Sequence, residues 1–215
     1  MPSTSISTHL RLVLATCWGV IIIISTALMI DITLPYTTWE WDVDFLQSKF
    51  DIIHLFYYRA AFYTHIFTST IVLFSGLFLF SKWVLKNLPR LHRFFGKLYV
   101  GLVLLLSAPS GLIMALHANG GTLAKIAFVL LTFLWWWFTY LGYITARRKD
   151  FNAHKNWMAR SYALTFSAIT LRFSQMLLGM YFLLDPVFQY VLISWTSWII
   201  NLAVAELIIL SLIHI

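Results

Sequence analysis

The sequence predicts an all-α fold: a polytopic membrane helical bundle of six transmembrane helices with both termini in the cytoplasm. Three observations predict it. First, 60% of residues are hydrophobic and only 11% are Asp, Glu, Lys or Arg, against about 25% charged residues in an ordinary soluble domain. Mean hydropathy is +0.81. A soluble fold cannot hide that much apolar surface, whereas a bilayer is itself an apolar solvent. Second, six apolar segments each reach the roughly 20 residues a membrane crossing requires. Third, the loops between them alternate in charge.

The first segment covers about 12–30. It is too long for a signal-peptide core and no small-residue cleavage site follows it, so a retained helix is predicted. Cys17 lies within it and reads as a small buried hydrophobe. One cysteine rules out a disulfide within the chain and argues against a cysteine metal site. The outer loop, 31–59, carries Asp31, Glu40, Asp42, Asp44 and Asp51, together with Trp39, Trp41, Phe45, Phe50, Ile52 and Ile53. It is expected to lie along the outer surface as an amphipathic segment or to form a lid.

The second segment spans about 60–83 and places His65 some six residues, roughly 9 Å, inside the membrane from the outer side. The following loop holds Lys82, Lys86, Arg90, Arg93 and Lys97 without an acid. The third segment, about 98–116, contains Pro109, which frees a carbonyl and predicts a kink. The fourth, about 123–146, contains Trp135, Trp136 and Trp137, which must point in different directions. Arg147, Arg148, Lys149, Lys155 and Arg160 then face Asp150 alone. Both basic loops are expected in the cytoplasm. The fifth segment covers about 157–183 and the sixth about 187–209, opened by Pro186. One domain, 1–215, is the economical reading. The net charge of +7 expresses this topology and not nucleic-acid binding.

The candidate chemistry lies in histidines and arginines beside hydrocarbon, where ionisable groups are costly and usually functional. His65 and His117 fall towards the outer face, His92 and His154 towards the inner. His54, eleven residues before His65, is an alternative outer partner; His9 and His214 near the termini read as solvated. At 100° per residue, His92, Tyr99, Ser110 and His117 share one stripe if the third helix is continuous. His154, Ser161, Thr165, Arg172 and Gln175 share another on the fifth. Arg172 has no acid at matching depth, so an outside anion or backbone carbonyls must answer its charge. Asn201 and Glu206 read as hydrogen-bonding partners for neighbouring helices, with a proton path as the alternative. There is no GxGxxG, Walker A, HExxH or GxSxG motif, so hydrolase and nucleotide chemistry have no support.

Two stretches carry a family resemblance: His92-Arg93-Phe94-Phe95-Gly96-Lys97-Leu98-Tyr99, and His154 to Thr165 continuing through Thr170-Leu171-Arg172. With His65 and Gly76, they resemble a bacterial integral-membrane family known as domain of unknown function 2306, over roughly Tyr63 to Gln175. Lys155 departs from the expected Arg. The resemblance implies a bacterial inner-membrane protein and puts His65, His92, His154, Arg160 and Arg172 at motif positions; it implies no activity.

The residues themselves predict a His-lined redox site. Paired histidines suit haem b or another His-bound metal ion, with Arg172 and Arg160 taking propionates or a quinone head and a quinol or partner subunit exchanging electrons. His65 with His117, and His92 with His154, are the predicted ligand pairs. The alternative is a non-redox accessory subunit of a membrane complex, or a small transporter.

Overall fold

The computed structural model describes residues 8–213. The chain termini and His214, and the side chain of His9, lie outside the described residues. Helix α1 covers Thr8–Thr33, and two 3₁₀ turns follow at Leu34–Thr38 and Asp44–Lys49. A single turn, α2 (Phe50–Ile53), leads into α3 (Phe56–Leu79). The short α4 (Lys82–Asn87) precedes α5 (Pro89–Leu102), a π-helical turn at Val103–Ser107 and α6 (Ala108–Leu116). Then come α7 (Gly121–Arg147), α8 (Phe151–Thr165), α9 (Ser167–Tyr181) and α10 (Pro186–Ile213). No strand occurs among the described residues.

Five helical stretches are long and apolar enough to cross a membrane: Thr16–Thr38, Phe56–Leu79, Pro89–Leu116, Gly121–Arg147 and Pro186–Ser211. Large apolar side chains cover their outward faces, with Leu105 at 74% and Leu207 at 67% exposure. Water would penalise such a surface; lipid does not. Cys17 belongs to this outward face, which corrects the expectation that it is buried.

The segment predicted as the fifth span is not one helix. It breaks at Phe166 into α8 and α9. The cause lies one residue earlier. Thr165 Oγ1 bonds back to the Ser161 carbonyl (3.3 Å), and also meets the Tyr99 hydroxyl (2.8 Å) and the Trp135 indole N–H (3.0 Å). Back-bonding of this kind bends helices, and here two neighbouring helices pull on the same hydroxyl. The predicted stripe from His154 to Gln175 is therefore cut, and its residues serve different surroundings.

Pro109 has the predicted effect in a particular form. It cannot donate to the turn before it, and that turn widens to the π-helical geometry of Val103–Ser107, with the Ala108 N–H reaching the Val103 carbonyl. Its neighbouring carbonyls find other donors: Leu104 accepts from Trp136 Nε1 (3.2 Å) and Leu106 from Ser110 Oγ (2.6 Å).

Two clusters fill the interior. The larger joins Val72, Leu73, Tyr99, Val103, Trp135, Tyr162 and Trp198 across the bundle. The smaller lies at the end near the 31–59 loop, where Tyr36, Leu46 and Ile53 pack on Tyr58, Phe62 and Tyr63 of α3. The loop is thus folded onto the bundle. Gly76 and Gly111 permit the closest approaches. A Cβ on Gly76 would collide with the Tyr162 ring, and one on Gly111 would stand 2.9 Å from the His65 ring.

Candidate functional site

His154 sits in the first turn of α8, whose N-cap Asp150 accepts from the Ala153 N–H (3.0 Å). Its ring Nδ1 lies 2.8 Å from the Gly142 carbonyl of α7. A carbonyl only accepts, so Nδ1 carries the hydrogen, and in the neutral ring Nε2 keeps its lone pair. His92 of α5 lies within electrostatic reach of His154 and approaches the Phe78 backbone. Its buried Nδ1 forms no hydrogen bond of ordinary geometry. His92 and His154, predicted as the inner pair, thus lie within electrostatic reach of one another.

The two motif stretches also meet directly. Tyr99 is fully buried. Its hydroxyl bonds Ser161 Oγ (2.7 Å) and Thr165 Oγ1 (2.8 Å), and Ser161 in turn bonds Thr139 Oγ1 (2.7 Å). Tyr162 donates to the Leu73 carbonyl (2.8 Å) through the space that Gly76 leaves.

Arg160 is already answered. Its Nε and Nη2 reach the two Glu206 oxygens at 2.5 and 2.7 Å, and its guanidinium lies 4.7 Å from the Trp157 ring centre. Asn201 Oδ1 accepts from Thr170 Oγ1 (3.0 Å). Glu206 and Asn201 therefore do bond neighbouring helices, as expected. The Arg160–Glu206 partnership itself was not foreseen, because the two lie 46 residues apart.

The outer pair does not come together. His65 Nδ1 donates to the Ser107 carbonyl at 2.8 Å, and its ring packs edge-on towards Trp135 and against Gly111. His117 follows the end of α6, with Nε2 at 3.2 Å from the Tyr57 hydroxyl and its ring against Tyr58. Tyr57 and Tyr58 lie about two helical turns from His65 along α3, which holds the two imidazoles at different depths. His54 precedes α3 and is exposed, so it does not extend the His65 face.

Lys49, which the sequence reading passed over, is only 4% exposed. Its ammonium donates to the His117 carbonyl and to Asn119 Oδ1, both at 2.5 Å. Burial, and then repulsion from Lys125, lower its pKa to about 8. Arg59 lies over Trp41 (5.1 Å) and fastens the same loop to α3. The only sequence signal was negative: a single lysine among the loop's acids, none of which pairs with it among the described residues.

Arg172 of α9 makes no hydrogen bond or ion pair among the described residues, and its Nε is buried. It lies within electrostatic reach of Tyr36 and of His65. Gln175, expected on its face, instead lines a cavity of about 240 Å³ with Phe128, Gln189 and Tyr190. No group of three or more His, Cys, Asp or Glu residues that could hold a metal ion occurs among the described residues. The inner pair offers two imidazoles, the number that bis-histidine haem uses.

A family model described as a predicted membrane protein, DUF2306, matches residues 62–209. No curated protein and no solved structure matches the chain.

Proposed function

The chain belongs to the DUF2306 family of predicted membrane proteins, and from that premise we propose that it is a redox protein of the bacterial inner membrane whose inner histidines, His92 and His154, hold haem b or another His-bound metal ion. One observation carries this reading. The Nδ1–H of His154 is held by the Gly142 carbonyl, so in the neutral ring Nε2 is left as a free donor atom, with a second imidazole within electrostatic reach. Ligating histidines are characteristically oriented in this way, by a carbonyl or carboxylate on the other ring nitrogen. Arg90, Arg93 and Lys155 flank the pair in sequence without an acidic partner among the described residues and suit propionates. Arg160 is less suited, since Glu206 already occupies it. A quinol in the bilayer or a partner subunit would exchange electrons with the bound group. The topology that belongs with this reading has six crossings, α8 and α9 together making the fifth, and cytoplasmic termini.

The test is the visible spectrum and metal content of full-length protein purified from membranes in mild detergent. A Soret band, or a stoichiometric metal, lost in both His92→Ala and His154→Ala but kept in His117→Ala is the expected result. Wild-type protein with neither band nor metal after expression with haem precursor would overturn the proposal and favour the accessory-subunit or transporter reading.

A further inference from the structure

Arg172 stands apart from the inner pair and asks for a different occupant. It lies nine residues, about 13 Å, from the end of α9 at Tyr181. The hydrocarbon half-thickness is of the same order, about 15 Å. A guanidinium at that depth must be answered by charge or by several hydrogen bonds, and none forms among the described residues. The one ion pair found among them belongs to Arg160 and Glu206.

The groups around Arg172 indicate what would answer it. Tyr36 lies within electrostatic reach, and its hydroxyl oxygen accepts the Phe45 N–H at 3.2 Å, which leaves its own O–H free to donate. His65 is also within reach, with its Nδ1–H committed to Ser107. The donors therefore outnumber the acceptors: five guanidinium N–H groups and a phenol, with no carboxylate acting on Arg172 and Asp44 within electrostatic reach of Tyr36. Unmet buried polar groups are rare in native interiors and call for an occupant.

We propose that Arg172 is the centre of an oxyanion site that takes a carboxylate or phosphate, held by the guanidinium and the Tyr36 hydroxyl. The planar guanidinium binds both oxyanions through two parallel hydrogen bonds. The oxyanion arrives either on the head of an acidic amphiphile of the bilayer or free in solution. The site is independent of the inner histidines and does not rest on a bound haem or metal.

The experiment is thermal unfolding of the full-length chain in detergent against four probes: inorganic phosphate, acetate, a short-chain phosphatidic acid and laurate. A ligand that binds only the folded state raises the midpoint by mass action. The expected result is a concentration-dependent rise in wild type that Arg172→Gln abolishes, Arg172→Lys shifts to at least tenfold higher concentration, and His92→Ala leaves unchanged. A response to the two amphiphiles alone assigns the source to the bilayer; a response to the small anions assigns it to solution. Without ligand, Arg172→Gln is expected to unfold no lower than wild type, because it removes an unanswered charge. A midpoint rise that persists in Arg172→Gln, or no response of wild type to any probe, would overturn the proposal. So would an Arg172→Gln protein that fails to fold while Arg172→Lys folds and ignores all four probes.

Discussion

At Lys49 an ammonium group is held away from water by two oxygens that carry no charge. Its folded pKa of about 8 lies below the 10.5 of a free lysine. Between those values the unfolded chain binds the proton and the folded chain does not, so stability rises with pH across that window. Below pH 8 the full cost of the buried charge is present. The contribution is on the order of 3 kcal/mol at one pKa unit per 1.36 kcal/mol. The midpoint of thermal unfolding is therefore expected to climb from pH 8 to pH 10.5 in wild type and to climb less in Lys49→Met. Equal slopes in the two proteins would show that Lys49 keeps an ordinary pKa. Gly76 gives a second prediction at this scale. Gly76→Ala must displace the Tyr162 ring and break its bond to Leu73, at a cost of roughly 1–3 kcal/mol, as for other overpacked interiors. A detergent melting curve that does not move would show that the ring relaxes freely.

The hydroxyl network holds its elements together more than any apolar contact does. Between membrane helices lipid competes equally for apolar side chains, so hydrogen bonds and close packing decide the association. Tyr99 joins α5 to α8, Thr139 joins α7 to α8, and Trp135 joins α7 to the α8–α9 break. Tyr99→Phe and Ser161→Ala are expected to cost roughly 1 kcal/mol each. Their double variant should fall short of the sum, since they share one bond. Additive losses in unfolding would deny the network. The same reasoning separates what the sequence revealed from what it hid. Helical phase placed His92 and Tyr99 on one face of α5, and Tyr99 does turn towards α8. Phase failed across residues 103–109, where Pro109 forces a π-helical turn that shifts the register, and at Phe166, where the break depends on Tyr99 and Trp135 from other helices. Such partners leave no mark on local periodicity. The meeting of the two motif stretches was legible, since Tyr99 and Ser161 lie on the predicted polar faces. The separation of His65 from His117 was not, because it depends on the level of α3 that the end of α6 meets, at Tyr57 and Tyr58.

For the whole molecule, loop charge and apolar length were enough to announce a membrane bundle, and the exposed apolar belt agrees with them. The proposed orientation has a direct check. In a chain with Cys17→Ser, single cysteines at Asn87 and Lys149 are expected to be shielded from an impermeant maleimide in intact cells, while one at Asp42 is labelled. Labelling of Asn87 would invert the topology. The Arg160–Glu206 pair ties α8 to α10. Glu206→Gln alone strands a cation, so it should destabilise more than the double variant Arg160→Met/Glu206→Leu. A double variant less stable than either single variant would show that the pair contributes more than it costs.

The break at Phe166 also bears on how the chain is made. Each half, α8 and α9, has 15 residues, short of the roughly 20 that a crossing needs. The first half carries His154, Lys155 and Arg160, and the second carries Arg172, whose entry into lipid costs about 2.5–3.5 kcal/mol on insertion scales. Neither half is apolar enough to leave the translocon for lipid unaided. During synthesis this region must wait for a chaperoning surface. α7 is complete before it and offers Trp135 and Thr139; α10 follows and brings Glu206. In the proposed six-crossing topology, membrane integration of α8 and α9 is thus expected to be a cooperative event that finishes only after α10 has emerged from the ribosome.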